Sequence, residues 1–357
     1  MPSNMTSRRQ PRKISAYTNK RYGLCEPIDY VNDTDFPEDA YFDPDMQLDV
    51  DFDIPETVET TSAVEVLPNG KNQEIRRRRS SAAKFAVNTI VNGDCREVLR
   101  HFPSGRTALL ATDPPWNLNL DYDGKSKDNL PREQYLSVHR EWMAEVPRIL
   151  TSNGSFFLIV GGPYAHDMAV MGQALGLHLR RTVVLHNTFG QNQHDNFTSS
   201  HSFILYFVKD AKQFVFNADA IRVPSARQLV YGDKRANPKG RLPDDVWLLR
   251  PQDAPEPLFS PTGDVWFHAK VCGTFKARVD GHPCQMPLPV MERIIAVASH
   301  PGDLVVDCFS GSGTTCIAAI RTDRNFIGIE QSTEYAELSI QRIAEERMKT
   351  SQLTLKW

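Results

Sequence analysis

The chain has 357 residues, 40% of them hydrophobic, and 41 Lys and Arg set against 44 Asp and Glu give a formal charge of -3. That length holds one large catalytic domain with an appendage, or two modest domains, and the composition is that of a globular protein carrying a polar segment. No apolar run approaches the roughly 18 residues of a membrane span, no apolar stretch follows the basic N-terminus as in a secretory signal, and six scattered cysteines without a C-x-x-C pair argue against a disulfide framework or zinc ribbon. The expectation is an intracellular protein with reduced thiols.

Charge is distributed in blocks. Residues 1–25 hold six Lys/Arg and no acid, residues 26–60 hold thirteen Asp/Glu and no base, and Lys71, Arg76 to Arg79 and Lys84 form a second basic cluster. Without residues 1–84 the chain keeps 29 basic and 29 acidic residues, so the asymmetry belongs to the appendage. Poor in periodic apolar positions and rich in Asp, Pro, Ser and Asn, residues 1–84 are expected to be a disordered charged extension. It reads first as a solvated tail with no specific partner; its blocks also suit a fold-back of the arm on itself, and its Arg run nucleic-acid phosphates.

Order is expected from about Phe85. AVNTIVNGDC reads as a strand, CREVLRHFP as a short helix stopped by Pro103 and Gly105, and TALLATDPPW as a strand ended by two prolines. The apolar spacing of PREQYLSVHREWMAEVPRIL predicts one long amphipathic helix with Pro131 in its first turn. GSFFLIVGG follows as a buried strand, HDMAVMGQALG as a helix, and RRTVVLHN and SFILYFVK as strands. Between Phe189 and Phe275 the pattern degrades, and Arg222, Arg227, Lys234, Arg235, Lys239 and Arg241 stand against Asp233 alone, a basic stretch suited to phosphate contact. PLPVMERIIAVAS is then a helix, DLVVDCF a strand, GSGTTCIAAIRT a Gly-rich turn entering a helix, NFIGIE a strand, and STEYAELSIQRIAEERM a closing helix. Alternating strands and helices predict a doubly wound, mostly parallel α/β sheet.

Two motifs carry chemistry. Asp307-Cys308-Phe309-Ser310-Gly311-Ser312-Gly313-Thr314-Thr315 lies where a strand meets a helix, the usual ligand position of such a sheet, and Glu330 ends the next strand where ribose hydroxyls are bound. Cys316 stands where a dinucleotide fingerprint wants a third Gly, and the Gly-Lys-Ser/Thr of a P-loop is absent. The remaining candidate is an adenosine ligand without phosphates, S-adenosylmethionine. Asp113-Pro114-Pro115-Trp116 joins a carboxylate and unpaired carbonyls to a large aromatic face, a group suited to a flat base with an exocyclic amino group. Taken alone, the Gly-rich motif is ambiguous, and Asp-Pro-Pro-Trp also reads as a strand-ending turn with a packed Trp.

Together they resemble the amino-group DNA methyltransferases, the N6-adenine and N4-cytosine methylases, over roughly residues 86–347. The Asp-Pro-Pro-Trp element precedes the Gly-rich one by about 190 residues, as in the circularly permuted beta group of that family. Only 27 residues follow Glu330, too few to complete a sheet, so VNTIVNGDC must supply the missing strand. The resemblance implies a seven-stranded Rossmann-like methyltransferase sheet, circularly permuted, with an inserted target-recognition region. It divides the chain into a catalytic half at 85–188, a remaining strand with target recognition at 189–275, and a cofactor-binding half at 276–350.

By resemblance, Asp94 contacts the cofactor adenine, and His282-Pro283-Cys284-Gln285-Met286-Pro287 matches the segment before the Gly-rich motif, bringing Pro283 and Gln285 to the cofactor. Met286 replaces the family's usual Lys there. The implied activity is transfer of a methyl group from S-adenosylmethionine to the amino nitrogen of an adenine flipped out of double-stranded DNA. Asp113, Pro114, Pro115 and Trp116 are its catalytic residues; Asp94, Pro283, Gln285, Asp307, Phe309, Gly311, Gly313, Thr314 and Glu330 hold the cofactor; the six basic residues named above meet DNA. No metal is expected, and Cys272, His282 and Cys284 read as structural. N4-cytosine is the runner-up, followed by an RNA adenine methyltransferase, a non-catalytic DNA-binding module and a dinucleotide-dependent oxidoreductase. A homodimer and a cognate restriction nuclease are left open, and the expected location is cytoplasmic, associated with the nucleoid.

Overall fold

The computed structural model describes residues 86–120, 122, 128–191, 194, 195, 197, 199–223, 225–229, 231–248, 279, 282 and 284–354. The charged extension, Cys272, Pro283 and most of the Phe189 to Phe275 stretch beyond residue 248 lie outside them. In chain order the elements are β1 (Thr89–Asn92), α1 (Cys95–Arg100), β2 (Thr107–Thr112), α2 (Arg132–Met143), α3 (Val146–Ile149), β3 (Leu150–Gly161), α4 (Ala165–Ala174), β4 (His178–Gln191), β5 (Ser199–Val208), α5 (Ala226–Leu229), β6 (Val246–Leu248), α6 (Leu288–Ala298), β7 (Leu304–Asp307), α7 (Thr314–Arg321), β8 (Asn325–Glu330) and α8 (Thr333–Thr354).

The strands form one sheet in the order β1-β8-β7-β2-β3-β5-β4-β6. Pairing is parallel except where β5 runs against β3 and β4. The seven expected strands are present, and three-residue β6 adds an eighth along β4. β1, from the start of the described chain, pairs in parallel with β8 near its end, Asn92 opposite Glu330, which is the permutation that the short remainder after Glu330 required.

The continuous apolar runs of the strands follow from burial on both faces. Successive side chains alternate between two cores: Leu109, Ala111, Phe157, Ile159 and Val305 face a cluster with Ile294 and Ile317, while Leu110, Phe156, Leu158 and Val306 face one with Leu99, Trp142 and Met168. Each such side chain contributes about 1.5–3 kcal/mol of burial free energy.

One expected helix is two. α2 ends at Met143 and α3 begins at Val146, because Pro147 has no N–H to bond back to Met143 and the chain turns at Ala144 and Glu145. Pro131 caps α2 from an extended conformation instead of lying in its first turn.

β2 and β7 are neighbours, with Leu109 opposite Val305 and Leu110 opposite Val306. After β7 the chain passes through α7 to β8 on one side, and after β2 it passes through α2 to β3 on the other. The winding therefore reverses between β2 and β7, where an open α/β sheet forms its ligand crevice.

Candidate active site

Both sequence motifs start at that crevice. Asp113 follows the last residue of β2, and Asp307 is the last residue of β7. The Thr112 hydroxyl donates to Asp307 Oδ1 at 2.6 Å, fastening the two strand ends together. Asp307 also accepts from the Phe309 N–H at 3.0 Å, so this buried carboxylate shapes the entry to the Gly-rich turn.

Asp113 keeps a solvent-facing edge, but its carboxylate is closely surrounded. Burial pushes its pKa up to about 7, a hydrogen bond from Trp116 opposes the rise, and the Asp307 charge adds to it. That hydrogen bond runs from Trp116 Nε1 to Asp113 Oδ1 at 2.8 Å. The Trp116 ring packs on Gly161 at the end of β3: a Cβ on that glycine would lie 3.0 Å from the ring. Any side chain at 161 therefore moves the aromatic face or the indole N–H.

The loop after Trp116 is held by residues that the sequence did not single out. Tyr135 on α2 donates its hydroxyl to the Pro115 carbonyl at 2.8 Å and lies 4.3 Å, ring to ring, from Tyr164. Asn117 donates to the Leu130 carbonyl and to the Tyr164 hydroxyl, both at 2.8 Å, and accepts from the Leu130 N–H at 2.7 Å. Only their approach in the fold reveals them; no spacing in the sequence marks Tyr135 or Asn117.

On the β7 and β8 side, Gly311 and Gly313 have φ of +49° and +79°, in the left-handed region that favours glycine. Gly313 caps α7, and Thr314 is its first residue, buried. The Gly311 N–H donates to Glu330 Oε2 at 2.7 Å and the Ser332 N–H to Oε1 at 2.9 Å. The Gln331 N–H also bonds this carboxylate, which keeps only part of its acceptor capacity, and burial raises its pKa above the usual value. From α8, Ser339 donates to the Gly311 carbonyl at 2.6 Å and Arg342 to the Ser312 carbonyl. These two clamps were also missed.

Asp94 lies beside this cluster, since the Gly93 N–H reaches the Glu330 carbonyl at 2.9 Å. Its carboxylate caps α1 through the Arg96 N–H and pairs with the Arg96 guanidinium at 2.6 Å, which holds its pKa below the usual range. An adenine contact at Asp94 competes with Arg96. Phe309 packs edge-on to Trp142, with ring centres 5.5 Å apart, tying the turn to α2. Gln285 accepts from the Val279 N–H at 3.0 Å, and Met286, in place of the family's Lys, packs on the same core cluster as Trp116. His282 stands over Gly311, where a Cβ would meet its Nε2 at 2.7 Å; burial lowers the His282 pKa to about 4, leaving it neutral at pH 7.

Residues 107–341 match a family model described as DNA methylase. The chain belongs to that family. Among similar proteins, the Type II methyltransferase M.HpaI of Haemophilus parainfluenzae is 31% identical over 251 residues, covering 70% of this chain and 72% of that one. DNA adenine methyltransferase YhdJ of Escherichia coli strain K12 is 31% identical over 261 residues, covering 71% and 82%. The solved structure of PvuII DNA methyltransferase, titled cytosine-N4-specific, has a TM-score of 0.50 at 19% identity, covering 72% of this chain and 90% of that one, which bears on the fold alone.

In this methylase the basic stretch is less bare than the sequence implied. Asp219 takes Arg222 at 2.7 Å and also Lys239. Asp233 takes Arg227 at 2.6 Å and Arg235 at 3.0 Å, and Asp244 takes Arg241 at 2.7 Å. Among the described residues only Lys234 of the six has no ion pair. The counter-charges at Asp219 and Asp244 flank the segment, outside the window in which the excess was read. Exposed pairs of this kind are weak and screened by solvent, so phosphates can displace them. Among the described residues no group of three or more His, Cys, Asp or Glu gathers as a metal site, and no helix is long and apolar enough to cross a membrane.

Proposed function

We propose that this methylase transfers a methyl group from S-adenosylmethionine to the N6 amino group of an adenine flipped out of duplex DNA. The observation that carries the reading is the meeting of Asp113 and Asp307 at the β2/β7 crevice, joined by the Thr112 hydrogen bond. It puts an amino-group acceptor next to a turn that fits an adenosyl ligand: Glu330 has acceptor sites for ribose hydroxyls, and the left-handed Gly311 and Gly313 let the backbone approach closely. Asp94, Gln285, Asp307, Phe309, Gly311, Gly313, Thr314 and Glu330 would hold the cofactor, and the resemblance adds Pro283, which lies outside the described residues.

When bound, the cofactor supplies an electrophilic methyl group on a sulfonium. The protein's part is positional and electrostatic. The amino lone pair of adenine is delocalised into the ring; accepting its two hydrogens at Asp113 and at the Pro114 carbonyl favours a pyramidal nitrogen with the lone pair directed out of the ring plane. Trp116 Nε1 occupies Asp113 Oδ1, which leaves Oδ2 for the substrate, and Tyr135 occupies the Pro115 carbonyl, which leaves that of Pro114. The exposed face of Trp116 stacks on the base. Flipping is required because stacking blocks approach out of the plane, and it costs a few kcal/mol.

Residues 85–188 thus carry catalysis, 276–350 the cofactor, and 189–275 target recognition, with Arg222, Arg227, Lys234, Arg235, Lys239 and Arg241 exchanging carboxylates for phosphates. Adenine is favoured by the Asp in the first motif position and by the similarity to YhdJ; N4-cytosine is the second reading, since the same acceptors serve its amino group.

The test is to incubate the protein with labelled S-adenosylmethionine and unmethylated duplex DNA, digest to nucleosides and identify the labelled one by mass spectrometry. Labelled N6-methyladenine is expected. Labelled N4-methylcytosine would transfer the reading to the second base, and label appearing on RNA but not on DNA of varied sequence would contradict it.

A further inference from the structure

An exposed leucine is ordinary in itself; the setting of Leu118 is not. Its relative exposure is 50%, and it lies two residues beyond Trp116, hence within about 7 Å of it along the chain. Asn117 and Asn119, on either side, both have φ of +58°, a conformation in which Asn is several-fold enriched among non-glycine residues. Two left-handed residues bend the chain sharply around the leucine.

That bend is built into the protein. Asp128, 9% exposed, accepts from the Leu118 N–H at 3.1 Å with Oδ2 and from the Leu120 N–H with Oδ1. Its backbone pairs with the same turn: the Asn119 N–H donates to the Asp128 carbonyl at 3.0 Å and the Asp128 N–H to the Leu120 carbonyl at 3.2 Å. Asn117 anchors the other side through Leu130 and Tyr164. A nearly buried carboxylate is thus committed to a backbone turn at the rim of the candidate site, and that turn holds an apolar side chain half out of the protein.

We propose that Leu118 is a wedge that enters the DNA base stack as the target base leaves it, with Asp128 and Asn117 as its positioning residues. The inference rests on the reading of Asp113 and Trp116 as the acceptor of a flipped base and adds the residue that fills the space left behind. Unstacking a nucleotide leaves apolar base faces in contact with water, and an aliphatic side chain inserted between base steps covers them and favours the extruded state. A polar side chain on a mobile loop would do neither. Asp128 aims the wedge because its two oxygens fix the backbone on both sides of it.

The test uses the full chain and a duplex carrying a sequence that the protein has been shown to methylate. Single-turnover methyl transfer is measured for the unaltered protein, Leu118→Ala and Leu118→Met, once with the target base correctly paired and once with a mismatch opposite it, which removes part of the cost of extrusion. Leu118→Ala is expected to slow transfer on the paired duplex by about 10- to 100-fold and to recover to within about threefold on the mismatched one, because extrusion of a mismatched base needs less help. Leu118→Met keeps apolar bulk and is expected to stay near the unaltered rate on both. A 2-aminopurine at the target position should lose its extrusion fluorescence with Leu118→Ala alone. Equal losses on both duplexes, or no loss on either, would overturn the proposal. If the unaltered protein methylates no duplex of any sequence, the reading of the site on which the proposal rests is overturned instead.

Discussion

Asp113 combines a functional requirement with a stability cost. It accepts an amino hydrogen most strongly when ionised, yet burial lifts its pKa to about 7. Transfer should therefore fall on the acid side of pH 7, by about tenfold per pH unit once the group is mostly protonated. Trp116 Nε1 stabilises the ionised form, so Trp116→Phe, which keeps an aromatic face and loses the donor, is expected to move that acid limb to higher pH. It should also lower the plateau by about 10- to 100-fold, in line with about 1.5–3 kcal/mol for a hydrogen bond to a charged group. An unchanged limb in a pH–rate profile would show that the indole N–H does not act on Asp113. The stability consequence has the opposite sign. A carboxyl whose folded pKa is raised stabilises the fold fully below its unfolded value near 3.8, and that contribution is lost as pH rises through about 7. Asp113→Asn, whose amide oxygen is a weaker acceptor, should slow transfer yet raise Tm at pH 8 by about 2–4 °C for each kcal/mol of charge burial relieved, with the gain vanishing near pH 4; thermal unfolding at the two pH values measures it.

At the scale of elements, the residues that arrange the site lie on α2, α8 and the turn ahead of α4. Tyr135→Phe removes one hydroxyl and leaves the ring on Tyr164, so the fold should hold while the Pro115 carbonyl loses its donor. The expected cost is a fall in kcat of about 3- to 10-fold, the equivalent of one neutral hydrogen bond, with KM for cofactor unchanged; a rise in KM alone would place Tyr135 in binding. What was legible in the sequence and what was not divide along the same line. Strand runs, the Gly-rich turn and Asp-Pro-Pro-Trp are local patterns, fixed by periodicity and by backbone rules for Gly and Pro. Tyr135, Asn117, Asp128, Ser339 and Arg342 act through contacts made only after the chain has folded: Ser339 meets Gly311 across 28 residues and Asn117 meets Tyr164 across 47. Nothing near them in sequence differs from an ordinary helix face or loop. The split between α2 and α3 is the opposite case, since Pro147 was visible and the apolar spacing around it outweighed the helix break.

Across the whole molecule, charge and chemistry occupy different parts of the chain. The sheet, both motifs and their clamps lie within residues 86–354, and the blocks of like charge lie before them. Deletion of residues 1–84 is therefore expected to leave the single-turnover rate at saturating DNA within about twofold, because every group described at the site follows residue 85. Loss of transfer with intact cofactor binding would show that the extension takes part in catalysis. The basic stretch illustrates how far a linear window misleads about charge: Asp219 and Asp244 lie just outside Arg222 to Arg241 in sequence and pair with its members in space.

In the proposed mechanism Asp113 acts on the substrate at a crevice whose cofactor side is built separately, from β7 and β8. Single-turnover methyl transfer by Asp113→Ala, with S-adenosylmethionine affinity measured by calorimetry on the same preparation, tests it most directly. A loss of transfer of about 10²- to 10³-fold is expected, as when a positioned partner of the transition state is removed, with cofactor affinity within about twofold of the unaltered protein. Transfer retained within tenfold, or cofactor binding lost together with transfer, would contradict it.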